Sequence, residues 1–181
     1  MKNPWKKIQQ RYVYEHHPHL KVRKDYVIRP DGKKGKYTVI ERPDTVVIIP
    51  LLENGLYVLV RQWRYPINQD SLEFPMGAME EGESSKIAAQ REMSEETGYS
   101  SKNLKLLGAF YPANGLIKSR CSVYLAQNLT KTSQKSDPNE KIQLEKYEIP
   151  QIKDFIDQGK IDEAFTICGF YYLEKYLKSK S

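Results

Sequence analysis

The segment GAMEEGESSKIAAQREMSEETGY at residues 77–99 constrains this chain more than any other. Ser84 is a typical N-cap residue, the run 85–97 contains neither Gly nor Pro, and Gly98 suits the position just after a helix end. The segment therefore predicts one helix of about three turns that begins and ends at defined residues.

Three carboxylates project from one side of this helix. At about 100° per residue, Glu92, Glu95 and Glu96 fall on the same face. Carboxylates so close repel one another and resist ionisation unless a cation compensates them. Oxygen ligands select Mg²⁺, Mn²⁺ or Ca²⁺ over thiophilic metals. An acidic helix face is usually a solvated surface, so the metal-site hypothesis depends on the residues around it.

The spacing of the whole segment favours the metal site. Seven residues occupy fixed offsets: Gly77, Glu83, Arg91, Glu92, Glu95, Glu96 and Gly98. At a background of roughly 0.07 each, such a match arises by chance at about one start position in 10⁸. The segment resembles the signature of the Nudix hydrolases. Glu83 is expected to pair with Arg91 as a structural contact, and Gly77 and Gly98 are expected to be structural glycines of the same box.

The resemblance extends beyond this box, from about Trp5 to Leu173. The matching segments are RQWRYP at 61–66, SLEFPMG at 71–77, FYPANG at 110–115, DPNEKI at 137–142 and GKIDEA at 159–164. They are similar to the ADP-ribose pyrophosphatase branch, which cleaves nucleoside diphosphate sugars. The resemblance implies an α+β fold, the Nudix α/β/α sandwich, with a small N-terminal β-rich extension. We expect residues 1–43 to be a dimer-forming segment and residues 44–181 to be the Nudix hydrolase domain.

The pattern of β-branched and apolar residues agrees with an α+β fold. Strands are predicted where such residues cluster between turn signals: Tyr26–Ile28, Tyr37–Glu41, Thr45–Pro50, Leu56–Gln62, Leu104–Tyr111 and Arg120–Ala126. Two further helices are predicted at Ile152–Gln158 and Asp162–Lys178, separated by Gly159.

The resemblance implies a metal-ligand set. It places the metal on Glu92, Glu96 and the backbone carbonyl of Met76, with Glu95 as a lesser or water-mediated ligand that belongs to the catalytic set. The side chain of Met76 is expected only to pack. The implied cofactor is Mg²⁺, with Mn²⁺ as an alternative.

The branch also uses a glutamate from a loop well after the box, as a metal ligand or as the base that activates water. A gapless count back from the GKID segment at 159–162 places Glu140 there, while Glu145 and Glu148 remain alternatives.

For the substrate, the resemblance implies that Arg64 contacts phosphate, in a bidentate geometry that guanidinium groups favour. Gln62 and Glu73 accompany it; Glu73 either bonds a sugar hydroxyl or braces the loop before the box. Trp63 is either a core or a site residue. Tyr37 is the nearest positional match to an aromatic residue that stacks on the base in related dimers.

One segment departs from the family pattern. Relatives with a Pro-Ser-Pro-Gly segment commonly carry an acidic residue a few positions later, where this chain has Lys118, Ser119 and Arg120. That difference puts a strict preference for ADP-ribose in doubt. The HHPH run at 16–19 contains a Pro and lacks helical metal-ligand spacing, so we expect an exposed loop.

Composition and charge limit the remaining classes. The 39% apolar content suits one globular domain with an appendage, and the chain has no run of about 18 apolar residues. We expect a cytoplasmic protein without a membrane segment. Residues 1–42 contain 12 Lys or Arg against 4 Asp or Glu, which suits a polyphosphate substrate. Nucleic acid is disfavoured because no recognition motif accompanies these charges.

The sequence therefore predicts a Mg²⁺-dependent pyrophosphohydrolase that splits a nucleoside diphosphate sugar into a nucleoside monophosphate and a sugar phosphate, acting as a homodimer. Two alternatives remain. One is a Nudix hydrolase of dinucleoside polyphosphates or capped RNA. The other is a non-catalytic module that binds nucleotides or nucleic acid, which loss of the box carboxylates would have favoured.

Overall fold

The structure, a computed structural model, describes residues 2–132 and 141–180. The chain divides into two compact units. Met1–Asp44 and Tyr111–Arg120 form the first, called the N-terminal unit below, and Thr45–Phe110 with Cys121–Ser181 forms the second, called the core unit. No helix in the described stretches is long and apolar enough to span a lipid bilayer.

The regular elements alternate strands with three helices. In chain order they are β1 (Lys6–His16), β2 (Leu20–Ile28), β3 (Lys34–Glu41), β4 (Thr45–Pro50), β5 (Tyr57–Arg64), a 3₁₀ turn (Tyr65–Ile67), β6 (Gln69–Glu73), β7 (Met76–Ala78), α1 (Ser85–Thr97), β8 (Tyr99–Ser100), β9 (Asn103–Phe110), β10 (Ile117–Lys118), β11 (Cys121–Gln127), β12 (Thr130–Lys131), β13 (Gln143–Tyr147), α2 (Ile149–Asp157) and α3 (Ala164–Lys178).

The N-terminal unit is a four-stranded sheet in the order β1-β2-β3-β10. The first three strands are antiparallel, while β10 pairs with β3 in parallel. Gly32 takes a φ of 77° in the turn between β2 and β3, a conformation that favours glycine. Every residue of β1 is exposed, and among the described residues β2 is its one neighbouring strand. Strand β1 is therefore an edge of this sheet.

The core unit has a mixed sheet in the order β7-β4-β11-β9 and a second sheet in the order β13-β5-β6. Strand β4 is buried on both faces, which explains the apolar run at 46–50. Val46 and Ile48 pack in one cluster with residues of α1, and Val47 and Ile49 pack in another with residues of α2 and α3. Because alternate strand residues face opposite sides, helices cover both faces of this sheet.

Helix α1 has the predicted bounds. The Ser84 side chain accepts a hydrogen bond from the amide of Ile87 at 3.4 Å, and Gly98 ends the helix with a φ of 66°. Ala88 and Met93 are fully buried in the cluster that contains Val46 and Ile48. This packing fixes the rotation of the helix, and with it the direction of the carboxylate face.

The α+β prediction with an N-terminal β region is confirmed. All six predicted strand stretches overlap strands of the structure, and the two later helices overlap α2 and α3. The HHPH run is exposed as expected, although His16 is the last residue of β1. Strands β1, β6 and β7 are among those that were not predicted.

Candidate active site

Arg91 joins helix α1 to the loop before it. Its Nε and Nη2 donate to the two carboxylate oxygens of Glu83, both at 3.1 Å. Its Nη1 donates to Glu92 at 2.8 Å and to Glu95 at 3.0 Å, and Nη2 also reaches the carbonyl of Ala78 at 2.9 Å. The expected Glu83–Arg91 pair is present. One guanidinium thus positions three carboxylates and the end of β7.

Electrostatics stabilises the charged forms of Glu83 and Arg91. The hydrogen bonds from Arg91 lower the pKa of Glu83 below its ordinary value, and the pKa of Arg91 is raised chiefly by its bonds to Glu83 and then by those to Glu92. A planar guanidinium matches a carboxylate with two parallel bonds, which a lysine cannot do.

Glu92 packs directly against the backbone at Gly77. A Cβ built on Gly77 would lie 2.0 Å from the carboxyl carbon of Glu92 and 2.1 and 2.2 Å from its oxygens. A side chain fits there only if the Glu92 carboxylate moves away. The box glycine therefore lets strand β7 approach the Glu92 carboxylate.

Glu96 contacts Met76, the residue before Gly77 on strand β7. Its side chain is 9% exposed, and its Oε2 accepts a hydrogen bond from the Met76 amide at 3.0 Å. The structure therefore brings together the three residues predicted to hold metal, Glu92, Glu96 and Met76. The Met76 side chain packs against the core, as expected.

The chemistry of this donor set suits a hard cation. Two carboxylates and a backbone carbonyl supply oxygen only, the type of ligand that Mg²⁺ prefers. Over residues 2–132 and 141–180, no three His, Cys, Asp or Glu side chains cluster as a metal site. Glu140, predicted as a further metal ligand or base, lies outside the described residues.

The predicted phosphate contact, Arg64, lies at the end of β5. Its Nε donates to Oε1 of Glu73 at 2.9 Å, and its Nη2 bonds the other oxygen. Gln62 donates to the same carboxylate at 3.4 Å. Glu73 is 0% exposed, and in this geometry its carboxylate holds Arg64 in place.

The Arg64 group and the Glu96 group are electrostatically coupled. The pKa of Arg64 is raised first by its hydrogen bonds to Glu73, and the charge of Glu96 contributes further. The Arg64 side chain keeps 38% exposure while its partner is buried. Arg64 is therefore a cation that the buried Glu73 holds in place and that solvent can still reach.

Two aromatic residues considered for the site have defined surroundings. Trp63 is 57% exposed, so it is not a core residue. Tyr37 belongs to the N-terminal unit, where its hydroxyl donates to the carbonyl of Gly115 at 2.6 Å and its ring meets that of Trp5 edge-on, with centroids 5.6 Å apart. Tyr37 keeps 38% exposure.

The two alternatives to Glu140 have structural partners. Glu145, on β13, accepts two bonds from Arg61 and one from the Tyr147 hydroxyl, and the Arg61 bonds lower the pKa of Glu145. Glu148 is the N-cap of α2, and its amide donates to the Gln151 side chain at 2.9 Å. The Glu145 carboxylate is therefore held across the β5–β13 pair, and the Glu148 backbone is held at the start of α2.

Comparison with known proteins shows the family of this chain. The model of the NUDIX domain matches residues 41–165. The chain belongs to the Nudix family. Residues 5–40 of this Nudix chain match a second model, the nucleoside diphosphate sugar hydrolase N-terminal domain. The protein is a Nudix pyrophosphohydrolase of the nucleoside diphosphate sugar branch.

Relatives of this Nudix chain match along most of their length. It is 29% identical over 147 residues to ADP-ribose pyrophosphatase of Bacillus subtilis strain 168, covering 80% of each chain. It is 27% identical over 157 residues to the methanol dehydrogenase activator of Bacillus methanolicus, covering 86% of this chain and 85% of that protein. The crystal structure of an ADP compounds hydrolase superposes with a TM-score of 0.87 at 22% identity, covering 98% of this chain and 96% of that one. This last likeness shows the fold.

Proposed function

We propose that the protein hydrolyses the pyrophosphate bond of a nucleoside diphosphate sugar such as ADP-ribose, with Mg²⁺, to give a nucleoside monophosphate and a sugar phosphate. The observation that carries the proposal is the placement of Glu92 and Glu96 against strand β7, at Gly77 and Met76. The N-terminal match and the ADP-ribose pyrophosphatase relative support a sugar nucleotide as the substrate class.

Glu92, Glu96 and the Met76 carbonyl would hold the metal. When bound, Mg²⁺ offsets the charge of the diphosphate and lowers the pKa of the attacking water. Arg91 bonds both Glu92 and Glu95 and so directs their carboxylates to one side. The catalytic role proposed for Glu95 is that of a lesser or water-mediated ligand.

Arg64 would bind a phosphate oxygen. Glu73 occupies its Nε and Nη2, which fixes the guanidinium plane while the exposed side of the group stays accessible. A preoriented cation stabilises charge that develops in the transition state without reorganising first. Gln62 supports Glu73 by a hydrogen bond.

Two further residues complete the proposed site. Glu140 would accept the proton from the attacking water. Tyr37 would stack on the base.

A homodimer is proposed on the basis of strand β1. Its outer edge has no partner strand among the described residues, and Trp5, Ile8, Val13 and Tyr14 on or beside it are between 39% and 56% exposed. Exposed edges with apolar side chains are usually covered by another chain. Light scattering at micromolar concentration should give about twice the 21.1 kDa chain mass; the mass of one chain would contradict the proposal.

The alternative substrates, dinucleoside polyphosphates and capped RNA, need the same metal site and differ only in the group attached to the phosphates. A panel separates them: ADP-ribose, other sugar nucleotides, a diadenosine polyphosphate and a capped RNA, each assayed for product with and without Mg²⁺. We expect the highest kcat/KM for a sugar nucleotide. A preference of tenfold or more for capped RNA or the dinucleotide would contradict the proposal, and no turnover on any substrate would favour the non-catalytic module.

A further inference from the structure

A cavity of about 570 Å³ lies within the N-terminal unit. Ionisable groups line it from three stretches of chain: the cations Lys21, Arg42, Lys118 and Arg120 and the carboxylates Glu41 and Asp44. Its volume is within the range of small-molecule sites, which span about 300–1,000 Å³. The residues that depart from the family pattern, at 118–120, form part of its wall.

The charge in this cavity is unbalanced. Four cations face two carboxylates in the lining. Lys21 also has Glu15 at 3.7 Å, while Glu41 is bonded to the half-buried Arg23 and to the hydroxyl of Tyr12. Lys118 is 3.7 Å from Glu41, longer than a hydrogen bond, and 74% exposed. Across residues 2–132 and 141–180, no carboxylate forms a salt bridge with the guanidinium of Arg42. Convergent like charges repel one another, and a bound anion removes that cost.

Backbone contacts hold the cationic wall in place. Ser119 is 3% exposed, and its hydroxyl donates to the carbonyl of Pro43 at 2.8 Å. The amide of Arg120 donates to Asp44 at 2.8 Å. Asp44 is thus already engaged by a backbone donor. These two bonds join the segment that carries Arg42 to the segment that carries Lys118 and Arg120, so the backbone on both sides is held in place.

An aromatic ring adjoins the same charges. Tyr111 lines the cavity and is 58% exposed, and the Arg120 guanidinium lies 5.9 Å from the centroid of its ring. Nucleobases stack on exposed tyrosine rings and beside arginine, as they do in single-strand binders. The combination of a ring with surplus cations fits a ligand that has both a base and a phosphate.

We propose that this cavity binds the phosphate group of a nucleotide, held by Lys118, Arg120, Lys21 and Arg42, with the base available to stack on Tyr111. The site does not depend on the reaction proposed above. The phosphate belongs either to the substrate itself or to a separate nucleotide, and the experiment distinguishes these two sources.

The test is calorimetric titration of the full chain with AMP in EDTA, at low and at moderate salt. Lys118→Ala and Arg120→Ala should each weaken AMP binding about tenfold, because each removes a charged hydrogen-bond donor to the phosphate. Lys118→Arg should stay within threefold of wild type. Lys34→Ala is the matched control: it removes an exposed lysine of β3 that does not line the cavity, and it should change affinity less than twofold.

Equal AMP affinity in Lys118→Ala, Arg120→Ala and Lys34→Ala would overturn the proposal, whether or not the chain hydrolyses sugar nucleotides. Hydrolysis of ADP-ribose measured on the same samples tests the proposed function separately. If Lys118→Ala weakens AMP binding and also raises KM for ADP-ribose, the phosphate is the substrate's. If KM stays unchanged, and AMP still binds in the presence of a saturating methylene analogue of ADP-ribose, the site binds a separate nucleotide. Both results uphold the anion site.

Discussion

Replacement of Gly77 by alanine should remove activity while leaving the fold intact. The new Cβ would lie 2.0 Å from the Glu92 carboxyl carbon, and ordinary contact begins at 3.4 Å, so the carboxylate must retreat by about 1.4 Å. That movement breaks the 2.8 Å bond from Arg91 to Glu92. Displacing a catalytic group by about 1 Å can cost about 10²-fold in rate, and we expect a loss of that size in kcat.

The stability cost should be small because the atom that moves is the end of a flexible side chain. Gly77 does not have a positive φ, so alanine fits its backbone, and a strained rotamer of Glu92 costs about 0.5–1.5 kcal/mol. For a chain of this size the melting temperature should fall by no more than about 6 °C. Thermal unfolding and steady-state kinetics with Mg²⁺ measure both quantities.

Gly115→Ala is the matched control for Gly77→Ala. A Cβ at Gly115 would meet nothing within 4 Å, so its fold and rate should remain close to wild type. If Gly77→Ala kept kcat within fivefold of wild type, the close packing of Glu92 on β7 would have no part in the reaction. A cooperative loss of fold in Gly77→Ala would show that the contact supports the whole unit and not the site alone.

Three further substitutions test the carboxylate assignments. Arg91→Lys should lower stability by about 1–2 kcal/mol in urea unfolding and reduce the rate, since lysine cannot form the paired bonds to Glu83; an unchanged midpoint would contradict this. Glu140→Gln should lower kcat about 10²- to 10⁴-fold with little change in KM, whereas Glu145→Gln should be nearly silent; the reverse would assign the base to Glu145. Since Arg61 depresses the pKa of Glu145 in the folded state, this pair stabilises the fold above about pH 4.5. The stability lost in Glu145→Gln should accordingly be present at pH 7 and shrink as the pH falls below 4.5.

Local chemistry explains which elements could be predicted. Helix α1 matches its predicted bounds because Ser84 and Gly98 cap it through contacts only a few residues long. Strand β4 matches because it is buried on both faces and therefore apolar from Val46 onwards. Strand β1 was missed because all its residues are exposed, so it has no alternation of buried and exposed positions for a pattern to reveal. Strand β1 joins the N-terminal sheet by pairing with β2 and contributes no buried residue.

The site contacts that sequence could not predict depend on tertiary structure. The pairing of Arg64 with Glu73 arises because β5 and β6 are neighbours in one sheet, and the nine-residue separation gives no signal of it. The Arg91–Glu95 bond, by contrast, has the i, i+4 spacing that neighbouring helix turns share. The Arg91–Glu92 bond joins adjacent residues, which ordinarily do not face each other on a helix. The contact of Gly77 with Glu92 requires the docking of β7 on α1.

The central claim is that Glu92 and Glu96 hold the metal for cleavage of a sugar nucleotide. The most direct measurement is the rate of AMP release from ADP-ribose by wild type and Glu96→Gln across a Mg²⁺ titration. This substitution removes one charge without changing size. We expect Mg²⁺-dependent AMP release by wild type, and turnover lower by several orders of magnitude in Glu96→Gln with an unchanged melting transition. A rate near wild type for Glu96→Gln at saturating Mg²⁺ would contradict the account.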